Sequence, residues 1–122
     1  MPGPSGPISI LILLRSAQST RPAGRQIFTQ LPTTSFGGFR PPTCNSGFGW
    51  EEIDSGGNIE TIPPYTSRSC KHWLHGRIIT GTHFGTAAAS SLPTFLQSQH
   101  AQSPIVFLET GFLTIGHVDE LV

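Results

Sequence analysis

The stretch Cys70-Lys71-His72-Trp73-Leu74-His75 gathers the side chains of this 122-residue chain best suited to holding a metal. With Cys44 it offers two thiols and two imidazoles, the donor types that zinc takes in tetrahedral sites. The spacing does not favour closure. Structural zinc sites pair their ligands a few residues apart at both ends, whereas Cys44 stands alone. On a helix His72 and His75 share a face and Cys70 does not; on a strand Cys70 and His72 share a face and His75 does not. The three converge only on a loop, and separate polar side chains in a loop are the simpler reading. Glu51, Glu52 and Asp54 form an acidic cluster beside Gly56-Gly57. A two-carboxylate mechanism needs one carboxyl in an apolar pocket, and adjacent carboxylates on a solvated turn supply no such contrast.

No nucleophile elbow, phosphate-binding glycine loop or HExxH pattern is present. The sequence therefore assigns no catalytic, cofactor-binding or metal residue and leads to the expectation of a protein that is not an enzyme and holds no cofactor. The end, Asp119-Glu120-Leu121-Val122, resembles an endoplasmic-reticulum retention tetrapeptide displaced by one residue, but that signal must end the chain in Leu and here Val122 follows. A terminal Val with Glu two before it also suits addition to a PDZ sheet edge.

The elements that would position such groups look sparse. Gly (14) and Pro (11) make up about a fifth of the chain. Apolar residues are 36% and charged residues only 11%, both below the values of an ordinary globular domain. Such a chain has little core to offset an ordering entropy of about 1–2 kcal/mol per residue. The expected fold class is mostly irregular or disordered. It has at most a short N-terminal helix, a short helix near 86–101 capped by Thr86, and a β-hairpin near 105–115. In that hairpin Ile105–Leu108 pairs with Phe112–Ile115 across Glu109-Thr110-Gly111. Arg77–Thr80 reads as a short strand ended by Gly81. Residues 20–70 read as loop, punctuated by Pro and Gly.

Three segments follow: an acid-free 1–40, a Pro/Gly-rich loop region 41–76, and a weakly structured 77–122. The first 50 residues hold Arg15, Arg21, Arg25 and Arg40 and no acid; the remainder is acidic on balance, and the net charge is zero. No basic groove accompanies the scattered aromatics Phe36, Phe39, Phe48 and Trp50, so nucleic acid is not an expected partner. No apolar run is long enough to span a membrane. Ile8–Leu14 has three readings: a mitochondrial presequence, a secretory core, or a short apolar segment of a loop-rich chain. Cys44 and Cys70 are too few for a disulfide scaffold, though an oxidising compartment would allow one bridge between them.

Short patches near the C-terminus resemble something further. His100-Ala101-Gln102, Val106-Phe107-Leu108, Glu109-Thr110-Gly111-Phe112 with Ile115-Gly116, and Ile79-Thr80-Gly81-Thr82-His83 look like the translation of an antisense Alu repeat. A long insertion separates His83 from His100, and the ending departs from the repeat. The resemblance implies a recent primate reading frame, partly derived from a transposable element, with no inherited active site. The sequence thus leads to an orphan product with no specific biochemical function. A small mitochondrial or secreted protein acting through protein contacts is the alternative, and a Cys/His metal-binding segment the third.

Overall fold

The computed structural model describes residues 2–3, 6–7, 9–16, 22–42, 53, 55–83 and 91–121. Two parallel and three antiparallel strand pairs organise them. Strands β1 (Pro2–Gly3) and β2 (Gly6–Pro7) form a small ribbon. Strand β3 (Leu11–Leu14) then pairs in parallel with β4 (Phe36–Phe39), in register Leu11 with Phe36 and Leu14 with Phe39. A parallel pair needs a crossover. Here it contains a 3-10 turn at Pro22–Arg25 and the single helical turn α1 (Gln26–Thr29).

The central sheet has the order β5, β8, β9. Strand β5 (Ile59–Ile62) runs antiparallel to β8 (Arg77–Thr82), and β9 (Val106–Glu109) runs parallel to β8. Between β5 and β8 the hairpin continues past Pro63-Pro64 as a two-stranded ribbon, β6 (Tyr65–Thr66) with β7 (His72–Trp73). Between β8 and β9 lies α2 (Ser91–Ser98). Pro93 falls in its first turn, where a missing N–H costs no intrahelical bond. At the other end His100 takes φ 57, the left-handed conformation common just past a helix.

The core is small: Ile53, Ile78, Ile79, Leu92, Ile105 and Val118. Strand β8 is buried on both faces, as a central strand must be, and β9 alternates half-buried Val106 and Leu108 with exposed Phe107 and Glu109. Phe95 of α2 stacks on Phe39 of β4 with ring centroids 4.1 Å apart, tying the first parallel unit to the second.

Four expectations are corrected. The chain is not mostly irregular: buried polar side chains complete backbone ladders that the thin core alone would not hold. Leu11–Leu14 is a strand, not a helix, because Phe36–Phe39 offers it a partner. Residues 20–70, read as loop, contain β4, β5 and β6. The C-terminal hairpin does not form. Val106–Glu109 pairs with β8, while Phe112 and Ile115 stay 73% and 51% exposed. Thr110 redirects the chain, its N–H donating to Thr82 O (2.8 Å) and its hydroxyl within reach of the Thr82 and Gly116 carbonyls. A helix forms inside 86–101, but its expected cap, Thr86, lies outside the described residues. Among the described residues no helix is long and apolar enough to cross a membrane.

Candidate functional site

The antiparallel register that pairs Ile59 with Thr80 would next oppose Asn58 and Gly81. At that point the 3-10 turn Gly56–Asn58 lifts the backbone away. The Asn58 side chain replaces it. Its Nδ2 donates to Gly81 O (2.9 Å) and Ile53 O (3.1 Å); its Oδ1 accepts from Gly81 N (2.9 Å) and Val118 N (3.2 Å). Both donors and both lone pairs of the amide are used. Asn58 is wholly buried, and Thr80 Oγ1 donates to its carbonyl (2.8 Å). Gly81 has no Cβ, and one there would run into Asn58 Oδ1. That close approach lets the amide enter the sheet.

The bond to Val118 N places the next structure along the chain. Val118–Leu121 is a 3-10 turn, anchored by the fully buried Val118 side chain. Glu120 Oε1 accepts from Gly116 N (2.9 Å) and His117 N (3.1 Å), so a carboxylate from within the turn holds the two amides that lead into it. Flanking Val118, the side chains of His117 and Asp119 emerge on one side. His117 Nδ1 stands 3.8 Å from Asp119 Oδ1. Ser55, itself buried, places its hydroxyl 2.8 Å from His117 Nε2 and 3.4 Å from Nδ1. The imidazole side chain is 16% exposed and the carboxylate 44%. The result is an oriented imidazole backed by a hydroxyl, beside a carboxylate open to a cationic group from outside.

Gly57 makes the approach possible. A Cβ there would lie 2.6 Å from Asp119 Oδ2 and 2.9 Å from His117 Nδ1. Gly57→Ala is therefore expected to push the two side chains apart at little cost in stability, about 1 kcal/mol or less, since the atoms met are side-chain ends and not backbone. The His117 ring resonances should shift while the unfolding midpoint hardly moves.

The residues singled out from sequence lie elsewhere. Cys70 is exposed, in a turn at φ 60. His72 Nδ1 pairs with the Thr66 hydroxyl (3.0 Å), and the carbonyl of His75 accepts from Gln102 Nε2 (2.8 Å). They are not brought together, and among the described residues no three His, Cys, Asp or Glu side chains could hold a metal. Cys44, Glu51, Glu52 and Asp54 lie outside the described residues. Of the terminal stretch, Asp119–Leu121 belongs to the 3-10 turn Val118–Leu121. The signal available for this site was His117-Val118-Asp119-Glu120 after a glycine, two chemically useful side chains flanking one apolar anchor with a capping carboxylate.

The family model for protein-arginine deiminase (PAD) matches residues 1–122. Protein-arginine deiminase type-1 of Homo sapiens is 36% identical over 78 residues, covering 61% of this chain and 12% of the relative. The type-4 enzyme of Homo sapiens is 36% identical over 75 residues, covering 57% and 11%. The type-3 enzyme of Mus musculus is 35% identical over 74 residues, with the same coverage. The chain thus spans about an eighth of the length of these relatives. A family match along the whole chain overturns the reading of an orphan, repeat-derived frame, and kinship to enzymes overturns the expectation of none. The alternatives of an organelle contact protein and a metal-binding segment gain no support.

Proposed function

The chain belongs to the protein-arginine deiminase family, and from that premise we propose that its His117–Asp119 pair handles the guanidinium of a protein-bound arginine. Deimination replaces one guanidinium nitrogen by the oxygen of water. Ammonia leaves, and a cation becomes a neutral ureido group. Two things are required of the protein: an anion that holds the planar cation, and a group that moves protons. Asp119 is the anion, its half-exposed carboxylate able to accept charge-assisted hydrogen bonds from guanidinium N–H groups. His117 is the proton carrier, taking a proton from the attacking water and giving one to the departing nitrogen. Ser55 holds the ring edge, and Asn58 holds the turn that carries both. Further groups of the reaction would come from the rest of a longer polypeptide, as the relatives' lengths suggest.

The observation that carries this reading is the convergence of an imidazole and an open carboxylate on a turn hydrogen-bonded to a buried amide. The test is binding of two matched peptides, one with arginine and one with citrulline, followed by calorimetry. The arginine peptide should bind more tightly. Asp119→Asn should weaken it about tenfold or more, the loss of a charge-assisted pair, and leave the citrulline peptide nearly unchanged. Equal affinity of the unaltered chain for both peptides would remove the reading.

A further inference from the structure

At the far end of the β5–β8 hairpin from His117, the β6–β7 ribbon has a composition unlike the rest of the molecule. Between Thr61 and Leu108 there is no acidic residue, while Arg68, Lys71 and Arg77 all fall on or beside the ribbon. Among the described residues no carboxylate pairs with any of the three; the ion pair found is His117 with Asp119. The cations instead gather on an aromatic platform. Lys71 Nζ lies 4.1 Å and Arg77 Cζ 4.6 Å from the centre of the Trp73 ring. Tyr65 stacks beside that ring at 6.2 Å, with 22° between the planes. Arg77 is fixed further by donating from Nε to Pro104 O (2.9 Å). Next to the platform Leu74 is 78% exposed.

A cation held over an indole face keeps its charge while losing part of its hydration. It is thereby readied to meet an anion. Arg68 and Lys71 are exposed and keep water-facing charge. Trp and Arg are also the side chains that most often dominate binding energy at protein interfaces. The ribbon is held in shape by its own bonds, Ser67 N to Lys71 O (2.9 Å) and Cys70 N to Ser67 O (2.9 Å), so little conformational freedom is lost on docking. Three unpaired cations, a flat aromatic and one bare leucine side chain define the complement: an extended segment carrying carboxylates and an apolar residue.

We propose that the β6–β7 ribbon, through Arg68, Lys71, Arg77 and the Trp73–Leu74 surface, docks an acidic peptide segment of a partner protein. The inference stands on the ribbon's own charge and geometry and does not depend on the chemistry of His117 and Asp119. The experiment titrates the full chain into a short rhodamine-labelled peptide rich in Glu and Leu, read by fluorescence anisotropy. A peptide of the same length with Gln in place of every Glu serves as the comparison. The acidic peptide should bind at least about tenfold more tightly at low salt, and the advantage should shrink as salt is raised. The double reversal Arg68→Glu with Lys71→Glu, at exposed positions that leave the fold intact, should cost about tenfold more, and Leu74→Ser should weaken the peptide as well. Equal binding of the Glu and Gln peptides to the unaltered chain overturns the proposal without recourse to any variant. So does unchanged affinity in the double reversal.

Discussion

Asn58→Leu is expected to remove about 3–5 kcal/mol of stability, more than any surface change in this chain. The substitution keeps the branching of the side chain, though its methyls are bulkier, and deletes all four hydrogen bonds of the amide. It leaves Ile53 O, Gly81 N and O, and Val118 N needing new partners. Each buried orphan costs about 1–3 kcal/mol, and partial rearrangement keeps the sum below the arithmetic total. A small domain has only about 5–15 kcal/mol to lose. Asn58→Asp offers the companion measurement. It preserves the acceptor but removes both donors and brings a carboxylate into a site with no solvent exposure. Urea unfolding should show both variants with much lower midpoints. A midpoint for Asn58→Leu within the range of exposed substitutions would mean that the amide is not what joins β8 to the His117 turn.

Gly116→Ala comes next, at about 2–3 kcal/mol. Gly116 takes φ +90, a conformation that L side chains rarely adopt, and an added Cβ would run into the His83 ring. The backbone strain accounts for about 1–2 kcal/mol and the steric conflict for the remainder. Gly116 precedes His117, so relief of the strain must rotate the imidazole away from Ser55. The variant should therefore lose arginine-peptide binding as well as melting temperature. Gly56→Ala is the control: Gly56 has open space where a Cβ would stand and no left-handed φ. Its melting temperature should be almost unchanged. Equal losses in the two alanine variants would contradict the account given for Gly116.

The sequence revealed single strands better than their partners. Ile78 and Ile79 marked β8, but Gly81 looked like its end. In fact Gly81 continues the strand, because the space of its missing Cβ is filled by an amide from Asn58. Two apolar runs around Glu109-Thr110-Gly111 have the pattern of a hairpin, and only the burial of Thr110 shows why they part. Composition misled for a related reason. Low apolar content argues against order when burial must come from aliphatic side chains, yet here Asn58, Thr80 and Thr110 are buried and bonded. A single Asn beside two glycines carries no mark of that role. No residue of the site was singled out from the sequence: Asp119 drew notice only within the terminal stretch Asp119–Val122, and Ser55 is 62 positions away from His117 in the chain, where only the fold brings it.

The parallel pairing of β8 with β9 has a consequence for the order in which the molecule comes together. The β5–β8 hairpin closes over a short stretch of chain, and Asn58 and Gly81 meet as soon as it does. Thr82 and Glu109, by contrast, face each other only after the segment containing α2 has crossed the sheet. Closing that longer loop is the slower event. Ser55 and the sheet end are thus in place early, and His117 and Asp119 arrive last, carried in behind β9. Until then the basic ribbon already exists and the imidazole–carboxylate pair does not, so a partly folded chain presents its cationic surface before its His117–Asp119 pair.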